Sequence, residues 1–269
     1  MRRNFAAAAA SYDSAAVLAR EVGLRLAERL DCVKLAPRRF ADFGCATGDG
    51  VRELQRRYPE ALPVAVDFAL PMLAAVQERS GWWERMRGRA PRCINADARA
   101  LPLAANSLDL AWSNLMLHWL PDPQPAFAEL HRVLMEGGLL QFALFGPDTL
   151  KELRAVGAAP PRFLDMHDIG DMLMAAGFGD PVMEMEMLTL TYPSPRAFLN
   201  DQRHLGVRDG LLGRLDWRQW RRVFAAWERI DGLLPARFEI IYGHAWKMAP
   251  RTAPDGRAIM KFDRAKMRP

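Results

Sequence analysis

Short apolar runs alternate with stretches of helical spacing through the first half of the chain. The run Phe40-Ala41-Asp42-Phe43 precedes Val51 to Arg57, whose apolar positions recur at helical spacing until Pro59 stops them. Strand 63–66 follows, then a helix opened by Pro71 and an irregular basic segment from Trp82 to Pro91. Further strands are expected at Arg92–Ala96 and Leu108–Ser113, and then a helix from Gln124 to Leu134, with Gly137-Gly138 as its stop. The apolar run 139–145 has the length of a buried strand. Five β/α alternations in about 110 residues predict a parallel, doubly wound sheet. Ahead of them, Val17, Leu18, Val22, Leu26 and Leu30 predict a helix over 14–30 with Asp13 or Ser14 as its N-cap.

The rhythm changes after Gly146. Asp148 is expected to cap a helix from Thr149 to Val156, and a second helix runs from Asp168 to Ala176, ended by Gly177. Residues 182–192 begin by alternating apolar and polar, as a strand with one wet face does, and place Met183, Met185 and Met187 in a stripe read as core. Residues 194–234 are helical in pattern and rich in arginine and tryptophan; Trp217, Trp220, Phe224 and Trp227 read as an amphipathic cap helix. A last strand, Phe238–Trp246, can pair antiparallel with 182–192. The expected architecture is therefore an α/β, doubly wound, Rossmann-like sheet of seven strands, mostly parallel, with an antiparallel late hairpin and a helical insertion before the last strand. Its expected divisions are an N-terminal helical lid (1–35), a core (36–192 and 236–248), the insertion (193–235) and a loose basic tail (249–269).

At 269 residues, half hydrophobic and 26% charged, the chain is globular and able to bury a full core. No apolar run approaches the ~20 residues of a membrane span. Met1-Arg2-Arg3 and Ala6 to Ala10 read as an N-terminal helix rather than a secretion signal. Cys32, Cys45 and Cys93 are isolated, which suits a reducing, cytoplasmic setting and offers no metal spacing. Net charge is +5, carried by scattered arginines in pairs at most. That balance favours an acidic protein or anionic small molecule over nucleic acid.

The chemistry gathers at strand ends. Asp42-Phe43-Gly44-Cys45-Ala46-Thr47-Gly48 reads as a strand, a tight turn and the start of a helix, where main-chain N–H groups are open to a ligand. Asp67 ends the next strand nineteen residues after Gly48, the place where a βαβ unit sets a carboxylate against ribose hydroxyls. Asp97 and Asn114 end two further strands. Four such residues along one rim suggest a nucleoside-type pocket, while each alone could simply cap the following helix.

On these residues the chain resembles the class I S-adenosylmethionine-dependent methyltransferases. The glycine turn, Asp67, Ala96–Pro102, Ser107–Leu110 and Arg132–Gly138 carry the likeness, which covers roughly 12–192 and 236–247. Within that group it is most similar to the malonyl-acyl-carrier-protein O-methyltransferases of biotin synthesis. Ala10–Asp13, Ser113–Trp119, Gly146–Arg154 and Phe163–Gly170 carry this finer likeness. It implies S-adenosyl-L-methionine as cofactor and an acidic acyl carrier protein bearing a malonyl group as partner. Gly44 to Gly48 (with Cys45 and Ala46) would cradle the methionine end, Asp67 the ribose and Asp97 with Ala98 the adenine, with Asp42, Phe68, Met72 and Asn114 completing the cofactor site. Tyr12, Arg154, His118 and Trp119 are the candidates for orienting substrate; no general base is needed. Three departures stand out: Ala46 for a glycine, Met135-Glu136 for Lys-Pro, and no arginine at Ala7 to Ala9. A positive φ at Ala46 would mean strain there. Leu117-His118-Trp119, Thr149–Arg154 and Tyr242–Trp246 also resemble methyltransferase-like assembly factors of respiratory complex I. A cofactor-binding protein without turnover is the third reading.

Overall fold

The computed structural model describes residues 2–86, 88–213 and 215–249; the expected basic tail lies almost wholly outside them. Seven strands form one sheet: β1 Arg39–Phe43, β2 Leu62–Asp67, β3 Arg92–Asn95, β4 Leu108–Asn114, β5 Leu134–Phe145, β6 Gly179–Tyr192 and β7 Leu234–Trp246. Their spatial order is β3-β2-β1-β4-β5-β7-β6. The first five pair in parallel, and β7 runs antiparallel between β5 and β6. Strands buried on both faces need apolar side chains at every position, which is why β1, β2, β4 and β5 are near-continuous hydrophobic runs.

Alternate side chains feed two cores. On one face Phe40, Leu110 and Trp112 pack with Leu18, Val22 and Leu26, Val51 and Leu54, and Phe198 and Leu211. On the other, Ala41, Phe43, Ala111 and Phe142 pack with Phe127 and Leu130, and Ile169 and Leu173. The α-helices around the sheet are α1 Arg2–Ala8, α2 Tyr12–Ala15, α3 Val17–Glu28, α4 Asp49–Arg57, α5 Leu70–Arg79, α6 Trp82–Met86, α7 Gln124–Val133, α8 Lys151–Ala155, α9 Met166–Ala175, α10 Pro195–His204, α11 Arg208–Leu212 and α12 Trp217–Ala226. In α12 Trp227, just past its end, is buried against Phe198 while Trp217 is exposed, as an amphipathic cap requires.

Several local expectations are corrected. The helix at 14–30 is split at Ala16, and Asp13 caps nothing; its carboxylate accepts from Thr47 Oγ1 and pairs with Arg79. The pair Gly137-Gly138 does not stop α7. It lies inside β5, where Gly137 N–H donates to Lys247 O at 2.8 Å. Asp148 does not cap α8, whose N-cap position is Leu150 at φ +53°, and Asp165 caps α9 instead.

The methionine stripe is not core. Odd positions of β6 face α9, which reaches Met183 at Gly170 but leaves Met185 and Met187 exposed. Even positions face α3: Glu184 and Glu186 pair with Arg29 and Arg25, and Leu188, Leu190 and Tyr192 enter the first core.

At the centre of the β5–β7 pair the far end of the Phe142 ring lies against Gly243. A Cβ there would sit 2.3 Å from Phe142 Cζ. Gly243→Ala should therefore destabilise the protein by about 1–3 kcal/mol. Thermal unfolding followed by circular dichroism should show a midpoint lower by several degrees; an unchanged midpoint would mean the ring moves aside freely.

Candidate functional site

A cavity of about 360 Å³ opens at the carboxyl ends of β1, β2 and β4. Its first wall is the turn after β1. Gly44, Ala46 and Gly48 all have positive φ, at +75°, +44° and +89°, so the chain curls in the left-handed region three times in five residues. Ala46 is held there although it is not glycine. Its N–H donates to Asp67 Oδ2 at 3.0 Å, and Asp67 Oδ1 accepts from Ala69 N at 2.8 Å. One carboxylate thus spans the turn and the approach to α5. Burial raises its pKa, opposed by those same N–H donors.

The four rim residues divide. Asp67, Asp97 and Asn114 line the cavity; Asp42 does not. Asp42 lies under the start of α4, where a Cβ on Gly50 would meet its Oδ2 at 2.5 Å. It accepts from Val51 N–H, and its role is to cap that helix from below. Burial, with Asp67 nearby, pushes it up to about 8. Asp97 is turned toward Arg99, at 2.7 Å, which holds its carboxyl below the usual range. Asn114 donates Nδ2 to Ala19 O at 2.8 Å, while its buried Oδ1 has no partner among the described residues.

Gly44, Ala46, Phe68, Met72 and Ala98 also line the cavity, whereas Cys45 and Gly48 lie behind the turn. A Cβ on Gly48 would press on Val76 at 3.0 Å, so that glycine serves packing. The roof is the N-terminal segment: Phe5, Tyr12, Ala15, Leu18 and Ala19 face inward. Asp13 fastens it to Thr47 Oγ1 at 2.5 Å and to Arg79, and Ser11 Oγ donates to His204 O at 3.3 Å.

The far half is aromatic and apolar. His118 stacks on Phe145 at 4.2 Å and tilts against Trp119 at 4.7 Å. Phe145 N–H donates to His118 Nδ1 at 3.2 Å, which places the imidazole proton on Nε2. Burial lowers the pKa to about 3, so His118 is a neutral donor and no acid–base group at neutral pH. Arg154 does not reach the cavity. Its guanidinium donates to the carbonyls of Pro147 and Pro161, at 3.2 and 3.4 Å, and ties that loop. Arg99 is the sole Arg or Lys among the described residues lining the cavity, and it is paired. Tyr192, Gln202, Leu205, Val207, Leu211 and Phe238 complete the wall. Sequence reasoning missed these, because they come from β6, β7 and the insertion, far from any motif.

Two consequences can be measured. A left-handed alanine costs about 1–2 kcal/mol, and glycine adds about 0.4–1 kcal/mol of unfolded-state entropy. Ala46→Gly should leave the unfolding midpoint unchanged or raise it; a clear fall would mean the turn is unstrained. Asp42 titrates near 8 in the fold and near 4 unfolded. Its contribution to stability is therefore complete below about pH 4 and lost as pH rises to about 8. Asp42→Asn should gain stability relative to wild type as pH rises from about 4 to about 8 in denaturant titrations. A pH-independent difference would contradict this.

Comparison with known proteins agrees with the geometry. Residues 41–142 match the family model described as a methyltransferase domain. The malonyl-[acyl-carrier protein] O-methyltransferase of Gallionella capsiferriformans is 48% identical, covering 97% of this chain and 94% of that one. The enzyme of that name from Laribacter hongkongensis is 46% identical with the same coverage. Among solved structures, the phosphoethanolamine N-methyltransferase 2 of Haemonchus contortus, determined with S-adenosylhomocysteine, superposes with a TM-score of 0.53 at 17% identity, covering 84% of this chain and 52% of that one. The cofactor is S-adenosyl-L-methionine, and the residues present fit it: an unpartnered buried acceptor at Asn114, carboxylates at Asp67 and Asp97, and apolar Phe68 and Met72 in the lining. From fold, rim and relatives together, the chain belongs to the malonyl-[acyl-carrier protein] O-methyltransferase family.

Proposed function

We propose that this protein methylates the free carboxylate of a malonyl thioester carried on acyl carrier protein, the early methylation of biotin synthesis. The observation that carries this reading is one cavity with two unlike halves, an acid-bearing half at the strand ends and an apolar half under the insertion. Bound S-adenosyl-L-methionine supplies an electrophilic methyl group on a positively charged sulfur. In the first half Asp67 would hold the ribose hydroxyls, Asp97 and Ala98 the adenine edge, and Asn114 Oδ1 the cofactor's ammonium. Tyr12 would close over them from the roof.

The acceptor needs no base, since a carboxyl group with a pKa near 4 is ionised at pH 7. It needs alignment and exclusion of water. Phe145, Trp119 and Phe238 provide an apolar wall, and His118 stays neutral beside them. With Arg99 committed to Asp97, the substrate half keeps its cations away from the nucleophile, and the carboxylate is not quenched by an ion pair. Outside the cavity, Arg218, Arg221 and Arg222 are exposed on α12 and complement an acidic carrier. With three free cysteines, we place the reaction in the cytoplasm.

Purified protein given S-adenosyl-L-methionine and malonyl carrier should yield the methyl ester, detected by mass spectrometry. Asp67→Ala should weaken S-adenosylhomocysteine binding about tenfold or more by calorimetry, about 1.4 kcal/mol. A chain that binds the cofactor and forms no ester would overturn the reading.

A further inference from the structure

Resting on the acyl-thioester reading above, we propose that Tyr192 and Gln202 form the binding site for the thioester carbonyl oxygen of the substrate. Both line the cavity, and both are buried, with 6% and 2% of their surface exposed. Their side chains are hydrogen-bonded to one another. Around them the wall is Leu190, Leu205, Val207, Leu211 and Phe238. A hydroxyl and a carboxamide among such side chains are costly to desolvate unless they are used.

The backbone aims them deliberately. Tyr192 is the last residue of β6, on the even face that turns toward the first core. Helix α10 begins just beyond, capped by Ser194, whose Oγ accepts from Ala197 N at 3.2 Å. Phe198 and Gln202 are one turn apart on its buried face. Phe198 meets the Tyr192 ring edge-on at 5.1 Å, and Gln202, one turn on, meets its hydroxyl. Phe198 already fastens α10 to β6, so the polar pair is not required for that.

Donor arithmetic leaves something to offer. One O–H and two amide N–H groups are present, and the mutual bond uses one of the three. Burial keeps the Tyr192 pKa above its ordinary value, so the hydroxyl retains its proton at any working pH.

The other polar groups of the cavity are less suited. Asn114 spends one of its two N–H groups on Ala19 and leaves its buried oxygen as an acceptor. Tyr12 lies in the field of Asp67, Asp49 and Asp42. The His118 Nε2 atom is buried without a partner, and its ring is packed among Trp119, Phe145 and Phe163.

Charge decides which oxygen the pair takes. Asp201 acts on Tyr192, so an anion is disfavoured there and a neutral carbonyl is accepted. In a malonyl thioester that carbonyl stands one methylene away from the carboxylate. The carboxylate is then left to face the methyl donor at the other half.

The test pairs two substrates with two variants. Carrier bearing a malonyl thioester is compared with carrier bearing a carboxyethyl thioether, which keeps the carboxylate and replaces the carbonyl by methylene. Wild type should prefer the thioester in kcat/KM. Tyr192→Phe and Gln202→Met should each cut that preference about 3–10-fold, the loss of one neutral hydrogen bond. Thioether turnover should fall by less than thioester turnover in each variant, which separates a lost carbonyl contact from general damage to the wall. An unchanged preference in both variants, or an equal loss on both substrates, overturns the proposal while leaving the methyltransferase reading intact. Wild-type protein that methylates neither carrier overturns both.

Discussion

The Asp67 carboxylate is the interaction on which the site depends. One oxygen takes the N–H of Ala46 in the turn after β1, the other the N–H of Ala69 before α5. Two loops that leave neighbouring parallel strands are thereby set at a fixed separation. The carboxylate also keeps Ala46 in a conformation that its methyl group opposes. Charge-assisted hydrogen bonds of this kind are stronger than neutral ones. A glycine would make the bend free of strain; this chain has Ala46 there and holds it with an acid.

Around that point the fold separates two tasks. The parallel strands deliver acids and an amide to one rim, because every parallel strand ends on the same side. Beyond them β6 runs in the same direction as β5 and ends at that rim, while β7 starts there and runs back between the two, and this pair brings in the wall of the second half. In the function proposed above, cofactor and substrate would thus be held by different topological parts of one sheet. The N-terminal segment closes over both, fastened to the turn by Asp13 and to the insertion by Ser11. Restricting cations to the rim suits the reaction. A carboxylate nucleophile bound to a guanidinium would be well held and poorly reactive.

Burial does more than stabilise here; it sets protonation. Asp42 and His118 are each driven toward their neutral forms by desolvation, with opposite signs of shift. One becomes a helix cap and the other a neutral imidazole whose Nδ1 accepts from Phe145 N–H. Neither role follows from residue type. Arg154 shows the same point from another side: an arginine in a motif-like segment turns out to bind backbone carbonyls.

The sequence by itself determined the parallel half of the sheet, because strands buried on both faces require apolar runs that turns and helices interrupt. It also determined which strand ends carry acids, and so Asp67, Asp97 and Asn114 on one rim. It could not separate Asp42 from them, since a strand-end acid that caps a helix and one that faces a ligand have the same spacing. Nor could it place Gly137-Gly138, whose lack of Cβ serves a helix stop and a bent strand equally. The methionines of β6 alternated as expected, but only Met183 meets α9, and Met185 and Met187 are left exposed. Tyr192 and Gln202 lie well over a hundred residues from the glycine turn, and only the antiparallel return of β7 carries β6 and α10 to the cavity. Local pattern fixes elements; which side chains share a hollow is decided by long-range pairing, and that is where the second half of this site was made.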